Sequence, residues 1–239
     1  MLPEKICLVV PCYNEAKRLA LDKFLPWCNE IVFVFVSDGS SDGTVALLEK
    51  HAPGNYEVLA LPENKGKAEA VRAGILHARE LPACKNIEWF GFWDADLATP
   101  LEELPNFLKY RDFFAPDASA LFGSRIDRRG AKIDRSFLRH LTARMLITLL
   151  EFLCGPHTYD SQCGAKIFQR EVLGKAFARP FATSWLFDIE IVLRLGATKI
   201  VEVPLQEWRD ISGSKVLTAR GLRRVARDIF TLWRHYPRK

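Results

Sequence analysis

Apolar residues in the first half of the chain come in short, unbroken runs. "KICLVV" (Lys5 to Val10), "EIVFVFV" (Glu30 to Val36), "YEVLAL" (Tyr56 to Leu61), "EWFGFW" (Glu88 to Trp93) and "ASALFG" (Ala118 to Gly123) are rich in β-branched and aromatic side chains. Continuous runs, in place of strict alternation, predict strands covered on both faces. Helix-like stretches separate them: Ser41 to His51, Gly66 to Glu80 and Leu101 to Phe113. This alternation predicts an α/β fold built on a mostly parallel central sheet flanked by helices. After Gly130 the pattern predicts a long helix over Ser136 to Cys154 and a short strand at Lys166 to Phe168. A helix over Trp185 to Leu195, the strand "KIVEVPL" and a last helix over Thr218 to Tyr236 follow. On that last helix, at about 100° per residue, Arg220, Arg223, Arg224, Arg227 and Arg234 share one face. Leu222, Val225, Ile229, Leu232 and Trp233 share the opposite face, which is expected to pack on the core. The arginine face is suited to anionic lipid headgroups.

Size and composition narrow the class. The chain has 239 residues, 49% of them hydrophobic, enough for a sizeable core. With no linker or repeat in view, a single domain over residues 1–239 is expected. The six cysteines are scattered, with no C-x-x-C pair, and are expected to be reduced core residues. Strand-like sequence begins at about Lys5, so no cleavable leader is expected. The most apolar helix-like run, Met145 to Cys154, is broken by Glu151 and falls short of the roughly 20 residues that span a bilayer. A cytoplasmic protein able to lie on a membrane face is the expectation. The net charge of +5 is concentrated in Arg125 to Arg144 and Arg209 to Lys239, which favours anionic partners.

Turn chemistry sits where the apolar runs stop, in "PCYNE", "SDGSSDG", "DADLATP" and "GSR". Ligands of open α/β sheets bind at the carboxyl ends of strands, so these clusters predict one shared site. Asp94 and Asp96, one residue apart at a strand end, would share a face of a continuing strand and could hold a hard divalent cation. A solvated turn is the plain rival, but two acids beside Trp89 to Trp93 would be costly to bury without a counter-ion. Neither G-x-G-x-x-G nor G-x-x-x-x-G-K-[ST] occurs, which argues against a dinucleotide dehydrogenase and excludes a P-loop enzyme. "DADLAT" is a faint match to the D-x-D-x-[TV] loop of haloacid-dehalogenase phosphatases, with Ala98 in the fifth position. The basic last helix leaves a nucleic-acid-binding module as a reading from another class; it does not account for the acidic strand ends.

"VVPCYNEAKRL", "VSDGSSDGT", "NKGKAEAVRAGI" and the Asp94/Asp96 pair resemble, in order and spacing, the nucleotide-sugar-binding half of family 2 glycosyltransferases, which have the Rossmann-like GT-A fold. "FGSRIDRRGAKIDRSFLRHLTAR", "YDSQCGAKIFQRE", "WLFDIEIVLRL" and "VEVPLQEWRDISGSKV" are similar to the polyprenol-phosphate members, the dolichyl-phosphate β-glucosyltransferases foremost and the dolichyl-phosphate mannose synthases as near relatives. The resemblance divides the chain into a nucleotide-sugar half (5–124), an acceptor half (125–217) and a basic amphipathic helix (218–239). It implies hexose transfer, with inversion, from UDP-glucose or GDP-mannose to a polyprenyl or dolichyl phosphate. Mg²⁺ or Mn²⁺ is the implied cofactor, with peripheral membrane contact and no nucleic-acid partner. Ala98 stands where mannose synthases often carry Gln, which favours glucose. By position, the resemblance implies that Pro11, Tyr13, Asn14 and Glu15 line the nucleotide pocket and that Asp38 contacts the base. Lys67 would approach the nucleotide, Asp94 the sugar diphosphate, and Asp96 would be the firmest metal ligand. Arg125 and Arg139 would lie near the transferred phosphates, Gln162 and Asp188 would face the sugar, and Ser214 and Lys215 would close over the diphosphate.

Overall fold

The computed structural model describes residues 2, 4–52, 56–134, 137–196, 198–210 and 219–238, with side chains 137–140 and 219–220 outside that description. In chain order the elements are β1 (Ile6–Cys12), β2 (Ile31–Asp38), α1 (Thr44–His51), β3 (Glu57–Leu61), α2 (Lys67–Glu80), β4 (Trp89–Trp93), α3 (Leu104–Phe114) and β5 (Ala120–Ser124). They continue with β6 (Lys132–Asp134), α4 (Phe137–Cys154), β7 (Ala165–Gln169), α5 (Leu173–Phe177), α6 (Phe187–Leu195), β8 (Ile200–Pro204), β9 (Glu207–Arg209) and α7 (Ala219–His235). Two compact units emerge: Met1–Leu97 with Gly164–Pro180, and Ala98–Cys163 with Phe181–Lys239.

The first unit holds strands in the order β3-β2-β1-β4-β7. β1, β2, β3 and β4 run parallel, and β7 runs antiparallel to β4. The apolar runs of β1, β2 and β4 are buried as expected, β4 at all five positions and β1 at six of seven, whereas β3, at the edge of the sheet, has no buried position. α2 lies close on β1 and β2 because Gly74 faces them. A Cβ there would stand 2.5 Å from Val9 and 2.7 Å from Val36, well inside an unstrained carbon contact of about 3.5–4.0 Å. On the far side of β2, Phe24, Phe33, Phe35 and Tyr56 form an edge-to-face aromatic cluster. β7 brings Lys166 into the core, where its ammonium stands 5.1 Å from the centre of the Phe92 ring. Two cysteines of this unit, Cys7 and Cys84, share a hydrogen bond that raises the Cys7 thiol, with burial adding to the rise, and lowers that of Cys84 against its burial. All six cysteines are free thiols, five of them buried, as core residues should be.

In the second unit, β5 pairs with β8 in parallel, and so do the short strands β6 and β9. Neither β6 nor β9 carries the apolar pattern that announces a strand; β6 reads exposed, half-buried, exposed. Glu103 ties this region down. Its Oε1 accepts the amides of Gln206 at 2.9 Å and Glu207 at 2.7 Å, and its Oε2 accepts from Asn106 at 3.2 Å. α4, α6 and α7 share a core of Ile147, Leu150, Cys154, Leu186, Ile189 and Leu232.

α7 corrects one expectation. Ile229 and Leu232 do pack inward, but Leu222 is 56% exposed and Trp233 48% exposed. The inward face is centred on Asp228 instead. Its Oδ2 accepts the amides of Ser184, Trp185 and Leu186 at 3.1, 2.6 and 3.1 Å. These amides precede α6 and lack helical partners, so a carboxylate there satisfies them and complements the helix dipole. Seating Asp228 turns α7 until Leu222, Phe230 and Trp233 lie in solvent beside the arginines.

Candidate active site

Loops at the carboxyl ends of β1 and β2 are knitted together in the first unit. Asn14 adopts a left-handed backbone (φ 54°), and its side-chain oxygen accepts the Ser41 amide at 2.9 Å while Ser40 Oγ accepts the Asn14 amide. The Glu15 amide donates to Thr44 Oγ1 at 2.8 Å. Pro11 stands opposite Val36, one residue before the pairing of β1 with β2 ends at Cys12, and Tyr13 is 47% exposed at the loop surface. Asp38 is buried at the end of β2. Its two oxygens accept the amides of Lys65 and Gly66, each at 2.8 Å, so Asp38 shapes the loop that leads into Lys67.

β4 stops at Trp93, and the acids after it sit on a turn closed by the Leu97 amide donating to Asp94 C=O at 3.1 Å. The expectation of two acids on one face of a continuing strand gives way here, because Leu97 takes a left-handed φ of 52°. Asp94 is half-buried and forms an ion pair with Lys67, Nζ to Oδ1 2.5 Å. Its amide donates to Gly164 C=O at 3.1 Å, and its carboxylate occupies the space that a side chain at 164 would fill. Asp96 is exposed, so the cost of burying two acids together does not arise. Burial raises the Glu15 carboxyl above its ordinary value; Arg18 opposes the rise, and the nearby charges of Asp96 and Asp42 add to it. The first unit thus gathers Asn14, Glu15, Lys67, Asp94 and Asp96 around the same strand ends, with Asp38 supporting the Lys67 loop.

The donor set suits a hard cation. Asp94 and Asp96 offer carboxylate oxygens one residue apart, one fixed by Lys67 and Gly164 and one open to solvent. Among the described residues no group of three or more His, Cys, Asp or Glu is placed to bind a metal. One or two carboxylates with phosphate oxygens completing the shell is the usual environment of Mg²⁺.

In the second unit, Arg125 follows β5 directly. Its amide and Nε donate to Asp160 Oδ2 at 2.9 and 2.7 Å, and its Nη2 donates to Oδ1 at 2.6 Å. Its guanidinium also lies 5.1 Å from the centre of the Trp208 ring. Gln162 is half-buried, with its Nε2 unpaired. Asp188 is buried in the first turn of α6. Arg139 falls on α4 with its side chain outside the described residues, and Ser214 and Lys215 lie outside them altogether. Asp160, the carboxylate that holds Arg125, was not singled out from the sequence; its place inside "YDSQCG", two positions before Gln162, was the available signal.

A mostly parallel sheet with acids on a turn at its carboxyl end is the GT-A arrangement of nucleotide-sugar enzymes. Solved structures agree on the fold. Glucosyl-3-phosphoglycerate synthase from Mycobacterium tuberculosis, in complex with Mn²⁺ and UDP-glucose, aligns with a TM-score of 0.63 at 20% identity, over 98% of this chain and 79% of that one. The family model for glycosyl transferase family 2 matches residues 7–177, and the chain belongs to that family. Among its relatives, the dolichyl-phosphate beta-glucosyltransferase of Drosophila melanogaster is 31% identical, over 97% of this chain and 75% of its own. The Dictyostelium discoideum protein of the same name is 30% identical over 94% and 72%, and the human one 28% over 98% and 76%.

Proposed function

We propose that the chain transfers glucose from UDP-glucose to a dolichyl or related polyprenyl phosphate, inverting the anomeric carbon. The observation that carries this reading is the likeness to dolichyl-phosphate beta-glucosyltransferases, over 97% of this chain and 75% of the Drosophila protein, joined to the Lys67–Asp94 pair at the end of β4. Ala98 in place of a further polar ligand accords with glucose.

Mechanistically, an oxygen of the acceptor phosphate attacks the anomeric carbon, the bond from that carbon to UDP breaks, and UDP departs with the electron pair. A phosphate monoester has a second pKa of roughly 6, so the acceptor is ionised near neutral pH and needs no strong general base. Positioning and charge then dominate the rate. Asp94 and Asp96 would hold the divalent cation, Mg²⁺ or Mn²⁺, whose charge favours departure of the diphosphate. Asp96 is exposed at the turn, and Lys67 sets the position of Asp94 beside it. Pro11, Tyr13, Asn14 and Glu15 receive the nucleotide, with Asp38 bracing the Lys67 loop. Ser214 and Lys215 take the diphosphate, Gln162 and Asp188 the sugar, and Arg125 and Arg139 the acceptor phosphate, whose oxygens match a planar guanidinium fork.

The acceptor is lipid-linked, and a peripheral attachment accompanies this reading. Among the described residues no helix is long and apolar enough to cross a membrane. α4 exposes Leu141, Met145, Leu149 and Phe152, the last at 76%, at spacings that place them on one helical face. α7 exposes Leu222, Phe230 and Trp233 next to Arg223 and Arg227. Apolar strips bordered by arginine suit the interface of an anionic bilayer. Sedimentation with vesicles containing phosphatidylserine should persist in part at high salt, since the apolar strips add to the charge; no binding at low salt rejects the attachment.

The deciding experiment is a donor panel with polyprenyl phosphate, with and without divalent cation. Glucose transfer from UDP-glucose, lost on chelation, is expected. Transfer from GDP-mannose alone would replace glucose by mannose, and no transfer from any nucleotide sugar would sink the reading.

A further inference from the structure

Asp160 and Glu202 are carboxylates of the second unit that no step above uses. Glu202 lies in β8 opposite Phe122 of β5. Its oxygens accept the Asp160 amide at 2.6 Å, the Tyr159 amide at 2.8 Å and the Thr158 hydroxyl at 3.2 Å. Three consecutive residues are thereby fixed by one strand side chain. Arg144 holds the same segment from outside, with its guanidinium 4.2 Å from the Tyr159 ring centre and a 2.9 Å bond to Tyr159 C=O. Asp160, so fixed, takes the amide, Nε and Nη2 of Arg125, and both side chains are largely buried, at 5% and 12% exposure.

Such a clamp decides more than stability. A free arginine samples many rotamers and loses that freedom when it binds; one held by its own fork has lost it beforehand. The residues flanking the clamp are also incompletely satisfied. Ser124 Oγ, Ser161 Oγ and Gln162 Nε2 are buried and have no hydrogen-bond partner. Ser124 adjoins Arg125, while Ser161 and Gln162 follow Asp160. Buried polar atoms are nearly always bonded, so a group of orphans beside a bidentate ion pair marks a segment built to bond something else, a ligand or its water.

We propose that Asp160, itself fixed by Glu202, is a positioning residue that orients Arg125 and the Ser161–Gln162 segment toward an anionic, hydroxyl-bearing ligand. Both Asp160 oxygens are engaged by Arg125, so Asp160 acts through that arginine and not on the substrate. The proposal rests on the reading that Arg125 takes the acceptor phosphate.

Its test is the split between acceptor and donor in the full-length protein. Asp160→Asn keeps the shape and removes the charge. The expected result is a KM for polyprenyl phosphate raised about tenfold or more, with UDP-glucose affinity within about twofold of wild type. Asp160→Glu, which restores the charge, should recover part of the loss, and Glu202→Gln should show the same split more weakly. An unchanged acceptor KM, or equal losses for donor and acceptor, overturns the proposal. A second measurement needs no substrate, and its wild-type arm needs no variant. The Arg125 Nε–H resonance should exchange slowly with solvent in wild type and lose that protection in Glu202→Gln. Fast exchange in the wild-type protein overturns the clamp. Slow exchange in a wild-type protein that glucosylates no polyprenyl phosphate supports the clamp and sinks the acceptor reading alone.

Discussion

Replacing Gly164 by alanine tests whether the position of the Asp94 carboxylate matters to catalysis. The added Cβ would stand 2.7 Å from Asp94 Oδ1 and nearer still to Cγ and Oδ2. An unstrained contact needs roughly 3.5 Å, so the carboxylate must retreat by more than about 1 Å, which pulls it from Lys67. Overpacking of this kind costs about 1–3 kcal/mol, or roughly 2–12 °C in Tm for a chain of this size. The functional effect should be larger. A displacement of about 1 Å in a positioned group can cost about 100-fold in rate. The assay is glucose transfer to extractable polyprenyl phosphate, normalised to folded protein by circular dichroism. Gly174→Ala is the control: nothing lies within 4 Å of its added Cβ, and alanine suits a helix interior by up to about 1 kcal/mol. Wild-type turnover in Gly164→Ala would refute the reasoning, as would equal losses in both variants.

Chelation of divalent cation and Asp96→Ala should each abolish transfer while leaving Tm within about 2 °C, since Asp96 is exposed; retained activity in the variant would remove Asp96 from the metal site. Asp228→Ala should cost about 3 kcal/mol, read as a drop of roughly 6–12 °C in Tm, because it strips three amides of their charged acceptor; a drop below about 2 °C contradicts the cap. Burial raises the Glu103 carboxyl above its ordinary value, against bonds from Glu207, Asn106 and Gln206. Its folded pKa thus exceeds the unfolded one, and its contribution to stability is present below the unfolded value and lost as pH rises through the folded value. Urea unfolding of wild type and Glu103→Gln at about pH 4 and pH 7 should show the wild-type advantage shrinking with pH; an advantage that grows contradicts the shift.

The elements of the first unit were legible because strands covered on both faces need apolar residues at nearly every position, and that demand leaves an unbroken run. β1, β2, β3 and β4 all fall within three residues of the runs that announce them. The direction of β7 was not legible, since "AKIF" reads alike either way and only its pairing with β4 fixes the sense. β6 and β9 escaped notice because their stability comes from each other and from Glu103, not from a hydrophobic face. Asp94 and Asp96 stood out as a pair, but their different fates, one paired and one exposed, depend on Lys67 and Gly164, far off in sequence. The orientation of α7 failed for a like reason. Counting apolar residues gives the greasiest side of a helix, whereas a single acid with three waiting amides decides which side turns inward.

That acid makes the last helix an unsuitable place to truncate. Asp228 joins α7 to the start of α6, and Asp188 stands two residues past Leu186, the last amide it holds. A chain ended before Ala219 would lose a surface helix and also fray the segment that leads into Asp188. The same bond would carry force in the other direction. A pull on α7 would therefore be felt at the start of α6, the helix that carries Asp188.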